Sequence, residues 1–165
     1  MRRIISNLLL ILLLMVPVSA ENGWIEYSNQ KFGYSFELPA AMVVSNRPSD
    51  GSGLTWQTGT VRIQASGTNN RYDLKPEEYF ERMRFAAADK IVEQSHGVDP
   101  QTRAHWFQML YTKDGRRIHQ KTYVGEGTVN SLEFSYAYRY RKQKESVGVR
   151  VLDSFKPGDL SIERD

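Results

Sequence analysis

Few side chains in this 165-residue sequence combine the type and spacing that chemistry needs. Cysteine is absent, which removes thiol nucleophiles, thiolate metal sites and disulfides together. Three histidines remain, His96, His105 and His119. The last two flank Lys113-Asp114-Gly115-Arg116, and counting back from that turn brings them near one another at the far end of a hairpin. Two neutral imidazoles on paired strands are the minimum of a transition-metal site, and the alternative reading is a small hydrolase or metal-dependent enzyme built on them. No acidic ligand joins them at a recognisable spacing. The preferred reading is therefore two ordinary, partly buried histidines, with no metal and no cofactor assigned.

Nucleophilic catalysis finds no better footing. Gly51-Ser52-Gly53 lacks the spacing of a nucleophile elbow, and the phosphate-loop, dinucleotide and zinc-protease signatures are missing. No catalytic residue is assigned. The Asp50 loop lacks the alternating oxygen ligands of a calcium-binding hand and reads as a turn. The most suggestive stretch is Tyr136-Ala137-Tyr138-Arg139-Tyr140-Arg141-Lys142. At strand period its three tyrosines share one face, while Ala137, Arg139 and Arg141 share the other. Aromatic rings beside guanidinium groups bind rings and anions. Tyr136, Tyr138, Arg139, Tyr140 and Arg141 are thus the candidate binding residues. The competing reading is a row of tyrosines packed under a terminal helix.

Positioning those residues falls to a run of short strands and two helices. Trp24–Tyr27 and Phe32–Leu38 read as strands, the second alternating and closed by Pro39. Residues 46–53 are a loop. Leu54–Thr58 and Val61–Ser66 form a hairpin, with Val61, Ile63 and Ala65 facing one way. A loop over 67–72 leads to a helix from Pro76, with Glu77 and Glu78 in its first turn and Phe80, Met83 and Ala87 as its core stripe. Ile91–Ser95, His105–Tyr111, Ile118–Val124 and Leu132–Tyr140 follow as strands, the second of them central because both its faces are apolar. Asp114-Gly115 suits a tight primed turn. Residues 142–155 close the chain as a helix, with Pro157 just beyond. The order predicts an α+β fold, an antiparallel sheet flanked by helices.

The first twenty residues read differently. Arg2 and Arg3, the apolar run Leu8–Val16, Pro17 and then Val18-Ser19-Ala20 have the three zones of a secretory signal peptide cleaved after Ala20. The run is too short for a comfortable membrane span. Residues 21–165 are then one exported domain, periplasmic or secreted, with no stable anchor. Losing two arginines leaves it nearly neutral. Its charge is uneven, because residues 103–150 hold ten basic and four acidic side chains. That asymmetry points to an anionic envelope component or an acidic protein as partner. Nucleic acid is not expected in that compartment.

The segments Tyr27–Pro39 and Val151-Leu152-Asp153-Ser154-Phe155-Lys156-Pro157 resemble the two ends of PsbP-like domains, closest to small exported proteins of Gram-negative bacteria. The strand pair around Lys113-Asp114-Gly115-Arg116 also fits. The resemblance implies an α/β/α sandwich over the whole mature chain. It also implies a binding or assembly role, as in the photosystem II accessory subunit and the Ran-binding import factor of this fold. One motif departs. The bacterial proteins often carry Asn-Gly-Asp-Gly where this chain has Asp50-Gly51-Ser52-Gly53, so a cation role there loses an acidic ligand. The function expected is a non-enzymatic accessory or binding domain; the alternatives are the His105/His119 enzyme and a carrier of a small apolar ligand.

Overall fold

A computed structural model describes residues 23–86 and 90–165, so the leader and Ala87 lie outside the described residues. Two strands, β1 (Trp24–Ser28) and β2 (Ser35–Pro39), form an antiparallel hairpin. Seven more make one antiparallel sheet: β3 (Val43–Asn46), β4 (Gly53–Thr58), β5 (Val61–Asn69), β6 (Lys90–Val98), β7 (His105–Lys113), β8 (Arg116–Val124) and β9 (Thr128–Ala137). Their order is β3-β4-β5-β9-β8-β7-β6. Helix α1 (Pro76–Ala86) and helix α2 (Arg141–Asp153) complete the fold. The centre of the sheet is β9. Strand β7 is not central but one strand in from the edge, covered by β6.

Alternation along the strands gives each sheet face its own core. On one face Trp56, Ile63, Ala65, Leu132, Phe134 and Tyr123 are buried under the β1–β2 hairpin and the Val151-Leu152 side of α2. The rings of Phe36, Tyr27 and Trp56 meet there edge to face at 4.8–5.7 Å, a preferred aromatic arrangement. On the other face Phe107, Met109, Ile118 and Val129 pack against Tyr79, Phe80 and Met83 of α1. The two ends that carry the family resemblance touch. Ser35 and Lys156 exchange both backbone hydrogen bonds, at 3.1 and 2.9 Å, and the Glu37 amide donates to Ser154 Oγ at 2.8 Å.

Several boundaries differ from the sequence expectation, β2 starting at Ser35, β6 running Lys90–Val98 and β9 starting at Thr128 among them, and three differences have a clear physical reason. Residues 43–46 are a strand rather than unassigned chain. They lie on the sheet edge with every side chain exposed, so no burial pattern marks them. The last strand stops at Ala137 instead of Tyr140. Strand β5 runs on through Gly67 to Asn69 instead of ending at Ser66. Gly67 continues the ladder because the Phe32 ring lies directly on it; a methyl group there would come within 2.2 Å of Phe32 Cγ. Gly67→Ala is expected to cost about 1–2 kcal/mol through overpacking, seen as a lower midpoint in thermal unfolding. An unchanged midpoint would mean that Phe32 packs elsewhere.

Candidate functional site

The Asp114-Gly115 turn organises the basic end of the molecule. Both residues have positive φ, 49° and 71°, as the tight primed turn requires. The turn fixes where β8 begins, and β9 pairs with β8 only as far as Arg116↔Ala137. Beyond Ala137 no strand backbone is left to pair with. The Tyr138 amide donates instead to Gly115 O at 2.9 Å, and Tyr138–Tyr140 turn as a single 3-10 segment into α2.

The tyrosines therefore do not share a face. Tyr136 points into the core and is fully buried. Its hydroxyl shares a 3.2 Å hydrogen bond with His119 Nε2. Tyr138 is 39% exposed, and Tyr140 is half-buried against the larger core. The arginines reach the surface as expected, each over a ring. The Arg139 guanidinium lies 5.0 Å from the Tyr140 centroid and the Arg141 guanidinium 5.1 Å from that of Tyr138. Arg141 Nη1 also donates to the Tyr138 hydroxyl. Such pairs fix a cation's position more firmly than a lone exposed side chain. The first turn of α2 carries no acidic residue and its N-cap makes no side-chain hydrogen bond. Its amide dipoles thus add to the charges of Arg141 and Lys142 without offset.

Beside this segment lies an open cleft of about 360 Å³, lined by Lys90, Thr112, Lys113, Arg117 and Tyr138 with the Asp114-Gly115 turn. Pairing places Lys90 opposite Thr112, and Thr112 opposite Arg117. The three stand in one cross-strand row. Arg117 is buried, and its Nη2 donates to Glu145 Oε1 at 3.1 Å. Sequence reading missed these residues. Arg117 is legible from the turn register, but Lys90 depends on a β6–β7 pairing shifted by an irregularity between Ile91 and Glu93.

The histidine pair dissolves. His119 stands opposite Leu110, and His105 lies five residues further along β7, about 17 Å at ~3.3 Å per residue. An offset of five also puts them on opposite sheet faces. His119 is buried, and burial, with Arg117 adding to it against Glu145, lowers its pKa to about 4. His105 instead shares a cleft of about 270 Å³ beneath α1 with His96, Phe80, Phe107, Glu77 and Glu81. Among the described residues no group of three or more His, Asp or Glu side chains is placed to hold a metal ion. The Asp50 loop is tied up within the fold. Its carbonyls at Asp50, Gly51 and Ser52 accept from Lys31 Nζ, Asn29 Nδ2 and the Gly67 amide. The Asp50 carboxylate takes the Ser52 amide at 2.9 Å, a hydrogen bond that holds its pKa below the usual value.

A seven-stranded antiparallel sheet with one helix on each face, and an N-terminal hairpin closing the side of α2, is a PsbP-like α+β fold. No family profile and no curated protein matches the sequence. Solved structures do. The chain is similar to cyanobacterial PsbP from Synechocystis sp. PCC 6803, with a TM-score of 0.61 and 12% identity over 82% of this chain and 92% of that one. It is also similar to LpqN of Mycobacterium tuberculosis, a protein involved in cell envelope biogenesis, with a TM-score of 0.52 and 13% identity over 84% and 93%. At such identities the likeness is one of fold. Among the described residues no helix is long and apolar enough to cross a membrane.

Proposed function

We propose that this chain is an exported, non-enzymatic accessory domain that binds an anionic component of the cell envelope through its basic end. The observation that carries the reading is the pair of ring-held guanidinium groups, Arg139 on Tyr140 and Arg141 on Tyr138, at the uncapped start of α2. Fixed cations around an open cleft steer and hold an anionic partner. The three-zone leader at residues 1–20 supports an envelope address. The fold shared with LpqN, itself involved in cell envelope biogenesis, fits the same setting.

The test is capture from envelope extracts. The wild-type chain is expected to enrich a specific anionic component, and Arg139→Glu with Arg141→Glu to weaken capture about tenfold, or ~1.4 kcal/mol. Both residues are exposed, so the fold should survive the change. Enrichment of nothing specific, or capture indifferent to the reversal, would sink the reading. One observation favours a second reading: the cleft under α1 has the aromatic floor a carrier of small apolar ligands needs. That reading predicts uptake of an apolar fluorescent probe, insensitive to the same charge reversal.

A further inference from the structure

We propose that the cleft between β6, β7 and the 3-10 segment is a phosphate site, taking the phosphate of a phospholipid headgroup or of a free phosphate ester. The proposal rests on the reading of the basic end and names the chemistry of its ligand.

The row Lys90, Thr112, Arg117 sets two cations on either side of a hydroxyl. Adjacent strands are about 4.8 Å apart, so the two cationic residues start about 10 Å apart with the threonine between them. A phosphate group between them meets Lys90 from the edge strand, the Thr112 hydroxyl from below and Arg117 from the far side. Lys113 lines the same cleft, and among the described residues Asp114 is the one acidic residue of its lining.

Arg117 is the informative member. It is 9% exposed, one of its terminal nitrogens is taken by Glu145, and its Nε has no hydrogen-bond partner among the described residues. A buried guanidinium donor left without an acceptor costs free energy. An anion in the cleft supplies that acceptor, and phosphate, like carboxylate, offers paired oxygens that a planar guanidinium edge matches. At about 360 Å³ the cleft exceeds one phosphate group several times over. The organic part of an ester is then accommodated at its open mouth. Lys90 is exposed at the edge strand.

The experiment uses the chain expressed from its full coding sequence. Inorganic phosphate is titrated in by calorimetry, and sedimentation is measured with vesicles of phosphatidylcholine alone and of phosphatidylcholine mixed with phosphatidylglycerol. Lys90→Gln with Thr112→Val removes one cation and the hydroxyl while leaving Arg117 and its Glu145 contact; far-UV circular dichroism checks the fold. Wild type is expected to bind phosphate about tenfold more tightly than this double variant. Loss of sedimentation with phosphatidylglycerol vesicles in parallel assigns the site to a lipid headgroup. Phosphate binding without vesicle binding assigns it to a free phosphate ester. Equal binding of both probes by wild type and variant, or binding of neither probe by wild type, overturns the site. If Arg139→Glu with Arg141→Glu abolishes envelope capture while Lys90→Gln with Thr112→Val leaves it intact and no phosphate binds, the basic end stands and the phosphate site falls.

Discussion

Phe155→Ala is expected to lower the stability of the domain by about 3–5 kcal/mol, the range for truncating a fully buried phenylalanine. Phe155 is 2% exposed and its ring meets those of Tyr34, Phe36 and Tyr123 edge to face at 6.0, 6.4 and 5.4 Å. It lies just past α2, where the N-terminal hairpin, the central sheet and the closing helix converge. Removing the ring leaves a cavity that three separate elements would have to collapse around, and the Ser35–Lys156 bridge on the next residue resists that movement. Nothing covalent compensates, because the chain has no cysteine. Domains of this size are stable by roughly 5–15 kcal/mol, so the loss is a large fraction of the total. Urea unfolding should show a much lower midpoint with an unchanged slope. Phe155→Leu, which refills most of the space, should cost less than about 1.5 kcal/mol. A midpoint shift for Phe155→Ala no larger than that for Phe155→Leu would show that the three layers are not closed over this ring.

The same residue shows why the fold was legible. Phe155 belongs to the Val151–Pro157 segment, and its partners Tyr34 and Phe36 belong to Tyr27–Pro39; these two stretches carried the resemblance. In the fold these two stretches touch each other. Elsewhere local patterns sufficed. Val61, Ile63 and Ala65 alternate with Arg62 and Gln64 as a sheet buried on one side demands, and Pro76 opens α1 as its fixed φ allows. Strand β3 was illegible because Val43 and Val44 are exposed, so their apolar character records no burial. The end of β9 was illegible for a different reason. Nothing in Tyr136–Arg141 breaks a strand; what ends it is the absence of backbone beyond Arg116, a fact held in the neighbouring turn.

The candidate site divides along the same line. Arg139 and Arg141 were readable as exposed cations beside tyrosines, and they are. Their geometry was not, since an assumed strand period put every tyrosine on one side. The cleft shows the limit more sharply. Thr112 and Arg117 follow from the Asp114-Gly115 turn by counting. Lys90 joins them only through β6, whose irregular pairing near Ile91 leaves no trace in a single sequence. The histidine pair failed on the same arithmetic: in an antiparallel hairpin, the residues that meet are equidistant from the turn, and His105 and His119 are not.

His119 yields the second large effect, now as a structural group. In the unfolded chain its imidazole titrates near its ordinary value of 6.5, whereas burial lowers it to about 4 in the fold. Between those values the unfolded chain carries a proton that the folded chain does not, so stability rises with pH across this window. The contribution is complete above pH 6.5 and is lost progressively as the pH falls to about 4. A difference of this size corresponds to about 3 kcal/mol. Asp50, Asp99 and Asp159, whose hydrogen bonds hold them below the usual carboxylate value, lose their contributions at lower pH still. His119→Gln keeps a polar partner for the Tyr136 hydroxyl but cannot take up a proton. Urea unfolding from pH 7 to 4.5 should therefore show the wild type losing about 2–3 kcal/mol more than the variant. Parallel slopes would mean that the imidazole titrates normally and that α2 does not seal it. The location gives the effect a functional edge. His119 stands next to the Arg117–Glu145 pair that links β8 to α2, and a protonated ring placed there repels Arg117 while competing for Glu145. Acidification should then loosen the hold of β8 on α2 at Glu145 before the rest of the sheet gives way.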